Sequence, residues 1–115
     1  EMCIRDSAGP ASRTSQLPPV ATVPLVLALH ELGTNATKYG ALSTSAGRVT
    51  LSWRLEQDRC CLVWREALGP KVRAPSRQGL GTRLLRRQPG LETITTSFEP
   101  DGVVCRIEVR GCSAD

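Results

Sequence analysis

Glu31, Asn35 and Lys38 stand at i, i+4 and i+7 of one segment, a spacing that puts a carboxylate, an amide and an ammonium on one face of a helix. Such a row suits a Mg-nucleotide site. The amide oxygen is a hard ligand of the kind Mg²⁺ prefers, the ammonium can meet a phosphate, and the carboxylate can orient or deprotonate an attacking group. An ordinary solvated face also carries a Glu and a Lys two turns apart, and the spacing leaves that reading open. A second group is Trp64-Arg65-Glu66 followed by Gly69-Pro70. A carboxylate at a strand end, under an aromatic ring, can accept a hydrogen bond from the exocyclic amine of adenine, where guanine offers a carbonyl. The alternative is a core Trp and a Glu that merely ends a strand. In the third group, Gly79-Leu80-Gly81-Thr82, glycines let the backbone approach closely and free N–H groups at a helix start attract phosphate. A tight turn explains a lone G-x-G equally well.

These residues need a frame. Leu25, Leu29, Leu32, Ala36 and Tyr39 recur at steps of four, three, four and three, forming one apolar stripe. Pro24 is comfortable only in a first turn, so the spacing predicts a helix that begins or bends there. It should end at Gly40 in the left-handed conformation that glycine adopts cheaply. Arg48 to Leu55 alternates, with Val49, Leu51, Trp53 and Leu55 on one face. Arg59 to Glu66 is a second strand, and the Glu56-Gln57-Asp58 turn makes the two an antiparallel hairpin. Residues 67–78, with two prolines, read as a loop, and Gly79 to Gly81 opens a short basic helix over residues 82–88. Strands near Glu92 to Phe98 and Val103 to Val109 follow, joined by Pro100-Asp101-Gly102. The order helix, hairpin, loop, helix, hairpin is α+β, a sheet with helices on one face.

Composition bounds the rest. The chain has 115 residues, room for one domain. With 40% apolar and 23% charged residues it is globular rather than disordered. The longest apolar stretch, Val23 to Leu29, falls far short of the roughly 20 residues that span a bilayer, and no secretory signal is visible. A net charge of +4 favours anionic partners. Five cysteines without any C-x-x-C spacing suit neither a zinc knuckle nor a disulfide framework; Cys60 and Cys61 should point to opposite faces of a strand. The thiols read as reduced and the chain as cytoplasmic. The division read from the pattern is a tail at residues 1–8, one domain at 9–110 and a tail at 111–115. The first residues are expected to be foreign or the remnant of an upstream segment, and 8–19 a linker or weak edge strand.

The stretch from His30 to Ser43, His-Glu-Leu-Gly-Thr-Asn-Ala-Thr-Lys-Tyr-Gly-Ala-Leu-Ser, resembles the N box of the HWE histidine kinases. That family is named for a His in this box and a W-x-E further on, matched here by His30, Trp64 and Glu66. Gly79-Leu80-Gly81 resembles its second glycine box, and the likeness covers about residues 9 to 110. It implies a Bergerat-type two-layer sandwich: a mixed β-sheet covered on one face by helices, the nucleotide held between helices and a mobile lid. By the same resemblance Asn35 ligates Mg²⁺, Lys38 faces the phosphates of ATP, and Glu31 is base or polariser. Glu66 holds the adenine amine, while Gly69, Gly79, Gly81 and Thr82 shape the lid and phosphate loop. His30 joins the nucleotide-binding residues by its match, although a satisfied helix histidine stays open.

The implied activity is that of a two-component sensor histidine kinase, with transfer of the γ-phosphoryl of ATP to a histidine. The implied partners are a histidine-bearing dimerisation and phosphotransfer domain, missing from this chain, and a downstream response regulator. Neither nucleic acid nor a membrane contact is expected. Leu68 departs from the family, which usually has glycine there, and Gly33 replaces a better helix former at roughly 1 kcal/mol if exposed. Two other readings are an ATP-binding regulator of the same fold, such as an anti-sigma serine kinase, and a basic nucleic-acid-binding module. The W-x-E and His-Glu pair speak against the first. The second lacks the interleaved aromatics that stack on bases.

Overall fold

The computed structural model describes residues 2–6, 15–70 and 89–114. Gly79, Gly81, Thr82 and the expected basic helix lie outside them. The described chain runs β1 (Met2–Asp6), β2 (Ser15–Gln16), α1 (Pro19–Lys38), a 3₁₀ turn (Ala41–Ser43), β3 (Arg48–Glu56) and β4 (Arg59–Ala67). It continues with β5 (Thr93–Glu99), β6 (Gly102–Arg110) and β7 (Ser113–Ala114). Both expected hairpins are present, β3 with β4 and β5 with β6, each strand end within two residues of the alternating pattern.

Five strands form one sheet in the order β1-β3-β4-β6-β5, and β2 and β7 make a separate two-stranded ribbon. Every pair in the main sheet is antiparallel except β1 with β3, which run parallel from Met2 opposite Val49 to Asp6 opposite Trp53. The sheet is therefore mixed. Residues 2–6, which fit no sequence pattern, supply its edge strand.

Period-2 alternation gives each strand one apolar face. Val49, Cys60, Leu62, Trp64, Cys105, Ile107 and Val109 are buried on that face, with α1 over it through Ala21, Leu25, Ala28, Leu32 and Ala36. Three of the helix's five buried residues are alanines, so its backbone can lie close to the sheet. Two expectations about α1 are corrected. Of the two alternatives at Pro24, a start is excluded: the helix begins at Pro19, with Pro18 before it and Pro24 inside it, where only the bend remains open. A proline there has no N–H for the Val20 carbonyl one turn back, and the backbone of Gly90 passes directly against that carbonyl. Tyr39, placed on the apolar stripe by spacing, is instead the residue after the helix and 76% exposed.

The opposite face of the sheet is polar. Ser52, Arg54, Cys61, Val63, Arg106 and Glu108 line a shallow depression of about 640 Å³, and its charges largely cancel, Arg54 against Glu56 at 2.8 Å and Arg59 against Glu108 at 3.4 Å. Cys60 and Cys61 do point to opposite faces, Cys60 buried and Cys61 half-buried. Burial, reinforced by the neighbouring Cys112 thiol, pushes the Cys60 thiol from 9.0 up to about 11. Among the described residues no helix is long and apolar enough to cross a membrane.

Candidate functional site

Glu31, Asn35 and Lys38 fall on one side of α1, within about 60° of one another at 100° per residue. Glu31 and Asn35 are half-buried at the margin of the packed stripe, and Lys38 is exposed in the last turn. None of the three side chains has a hydrogen-bond or ion-pair partner among the described residues. They form a row of polar groups beside the core, unengaged among the described residues, with room for a ligand along the helix. His30 is exposed and projects about 140° around the helix from Asn35. The structure therefore brings Glu31, Asn35 and Lys38 together and turns His30 aside.

Glu66 lies at the C-terminal end of this row. It stands two residues after Trp64 on β4, so both point to the helix side of the sheet, and both are buried, Trp64 to 3% and Glu66 to 5% exposure. The carboxylate is held from two directions. Its Oε1 accepts the Ala41 backbone N–H at 2.9 Å, and its Oε2 accepts the Trp64 indole N–H at 3.0 Å. A buried carboxylate without such donors would be expensive. The W-x-E spacing has here a structural basis: i and i+2 share a face, and the ring nitrogen reaches the carboxylate.

Gly40 completes this corner, in a way the sequence did not foretell. Its φ of −108° is not left-handed, which corrects the expected cap. Glycine is required for space instead, because a Cβ there would occupy the position of Glu66 Oε1. The helix closes by ordinary backbone bonds, the Tyr39 N–H donating to the Asn35 carbonyl at 2.8 Å and the Gly40 N–H to Asn35 and Ala36 at 3.1 Å. Gly69 is likewise a contact glycine: a Cβ would come within 2.5 Å of the Ala41 Cα. The loop after β4 thus presses on the residue that donates to Glu66. Leu68, beside it, has φ +60° and is 63% exposed. That is the left-handed region, which glycine enters freely and a leucine only with strain.

Sequence reasoning missed the engagement of Glu66 with Ala41, since the two lie 25 residues apart. The available signal was the pair Gly40 and Glu66, a glycine after a helix and a carboxylate at a strand end.

No family model matches the chain. It is 41% identical over 98 residues to blue-light-activated histidine kinase 1 of Erythrobacter litoralis, an alignment covering 83% of this chain and 27% of that protein. Among solved structures, the catalytic domain of histidine kinase ThkA superposes with a TM-score of 0.66 at 15% identity, covering 96% of this chain and 78% of that one. The chain is a relative of the histidine kinases and has the fold of their catalytic domain. A blue-light-activated histidine kinase of Brucella ovis is 46% identical over 68 residues, 56% of this chain and 14% of the relative. The histidine kinase domain of Erythrobacter litoralis EL346 superposes with a TM-score of 0.63 at 16% identity, covering 94% of this chain and 54% of that one. This histidine kinase relative spans about a quarter of the length of the Erythrobacter protein it matches.

Proposed function

We propose that this domain is the ATP-binding catalytic part of an HWE-type sensor histidine kinase, which transfers the γ-phosphoryl of ATP to a histidine on a separate dimerisation and phosphotransfer domain. The observation that carries the reading is the 41% identity to a histidine kinase across most of the chain. The row Glu31, Asn35, Lys38 beside the core and the buried Glu66 at its end supply the groups that such a site needs.

Asn35 would hold Mg²⁺ through its amide oxygen, which is half-buried and has no other partner among the described residues; the donor chemistry fits a hard cation. The ion, when bound, supplies neutralisation of phosphate charge. Lys38 meets the phosphates as an exposed cation, and Glu31 orients or deprotonates the attacking group from the same side of the helix. Glu66 accepts the adenine amine. Two bonded donors leave lone pairs free on a carboxylate with about four acceptor sites. By the resemblance Gly69, Gly79, Gly81 and Thr82 would shape the loops around the nucleotide; His30 is assigned to the nucleotide by that resemblance alone, since it is exposed and projects away from Asn35. Catalysis in such a site is positioning and electrostatics, with the acceptor imidazole in line with the leaving oxygen.

A response regulator is the proposed downstream partner; histidine kinase ThkA, solved in complex with response regulator TrrA, superposes with a TM-score of 0.58 at 15% identity, covering 96% of this chain and 34% of that one. The cytoplasm is the proposed compartment, in keeping with four free thiols among the described residues. Titration of the purified domain with a fluorescent ATP analogue, with and without Mg²⁺, tests the reading. Saturable binding that tightens with Mg²⁺ and is competed by ATP supports it, and no binding under either condition refutes it.

A further inference from the structure

We propose that Trp64 is a positioning residue for base recognition, acting through Glu66 without touching the nucleotide. The inference rests on the nucleotide reading above and adds to it what fixes the preference for adenine. A glutamate carboxylate sits at the end of a flexible side chain, so accepting an amine from one direction requires that its rotation be stopped. Here it is stopped at both oxygens. The Trp64 indole N–H bonds Oε2 at 3.0 Å, and the Ala41 N–H bonds Oε1 at 2.9 Å.

The surroundings leave the carboxylate no alternative pose of equal quality. Gly40 abuts Oε1 so closely that even a methyl group would displace it. Trp64 cannot follow a moving carboxylate either, since its ring is 3% exposed on the central strand β4, opposite Leu51 and Cys105 of the neighbouring strands. Two rigid donors therefore fix the direction of the remaining lone pairs. Without the indole N–H, Oε2 is a buried acceptor left unpaired, and the carboxylate must turn or hydrate. Each of these spoils it as an acceptor for the adenine amine and leaves contacts to the phosphates and ribose intact.

The test is a double-mutant cycle read by nucleotide affinity. Trp64→Phe keeps a packed ring and removes the donor. Replacement of Trp64 by 3-benzothienylalanine removes the N–H with the ring shape retained, and serves if the Phe variant fails to fold. Either should lower ATP affinity about tenfold, as for a hydrogen bond to a charged group, with GTP affinity unchanged. In a Glu66→Ala background the same change should cause no further loss, because its effect passes through Glu66. A folded variant with an unchanged ATP-to-GTP ratio overturns the proposal. So does an equal additional loss in the Glu66→Ala background, the mark of a purely structural tryptophan. If the unaltered domain binds neither nucleotide, the nucleotide reading itself falls, a result distinguishable from both.

Discussion

Leu68 illustrates how one residue can carry a local cost. At φ +60° a leucine pays roughly 1–2 kcal/mol for the clash between its Cβ and the adjoining carbonyl. Its side chain, 63% exposed, recovers little by burial. Leu68→Gly should raise unfolding free energy by about 1 kcal/mol, part of the gain being offset by the greater freedom of glycine in the unfolded chain. Urea denaturation of the two proteins measures it, and a destabilised Gly variant would show that the leucine makes a compensating contact. Gly69 next to it tolerates no such exchange, since any Cβ would push on Ala41.

At the scale of the element, α1 has two faces of different character. Its packed face is carried by Ala21, Leu25, Ala28, Leu32 and Ala36, and its flank by Glu31, Asn35 and Lys38. Gly33 belongs to neither group. A Cβ there meets nothing within 4 Å, so Gly33→Ala should stabilise the domain by about 0.5–1 kcal/mol through helix propensity alone. A rise in melting temperature checks this, and a fall would show that Gly33 is required for reasons other than helix propensity. Asn35→Ala should behave differently. It leaves the fold intact, because only the backbone carbonyl of Asn35 closes the helix, and it should weaken Mg-dependent ATP binding more than metal-free binding. Unaltered Mg²⁺ dependence in the titration would make Asn35 a structural residue.

At the scale of the molecule, two behaviours follow from how the layers meet. Desolvation disfavours the ionised thiols: it raises buried Cys60 from 9.0 to about 11, and buried Cys105 and Cys112 and half-buried Cys61 are raised as well. An unfolded thiol ionises above pH 9 while folded Cys60 keeps its proton, so this contribution to stability is whole below pH 9 and is lost as pH rises towards 11. Urea midpoints should fall across that window, and less steeply in Cys60→Ala; equal slopes would remove Cys60 as a cause. The second behaviour concerns phosphate transfer. The only histidine of the chain, His30, is fixed on α1 and turned away from the Asn35 side, so it cannot take the in-line position. Incubation with radiolabelled Mg-ATP should leave no acid-labile phosphate on this chain, and adding a histidine-bearing dimerisation domain from a related kinase should give labelling of that domain. Labelling of the chain itself, abolished by His30→Gln with ATP binding retained, would overturn this.

Local period was enough to read the helix stripe through Leu25, Leu32 and Ala36, the two hairpins and the row Glu31, Asn35, Lys38, because a turn of helix or a pleat places side chains by sequence distance alone. The functional reading also came from the chain's own residues, in the stretch His30 to Ser43 that resembles an N box and in Trp64 and Glu66. Contacts between distant segments were not legible in this way. Pairing of Met2–Asp6 with β3 spans more than forty positions and leaves no mark in the composition of five residues. Gly40 looked like a helix cap because glycine serves both for left-handed turns and for close approach, and only the packing of Glu66 against it decides between the two. The strain at Leu68 depends on the path the backbone must take around Ala41. The bonds of Glu66 depend on the sheet bringing β4 beneath the end of α1. Side-chain identity states what a residue can accept or donate, and tertiary structure alone decides which donors reach it.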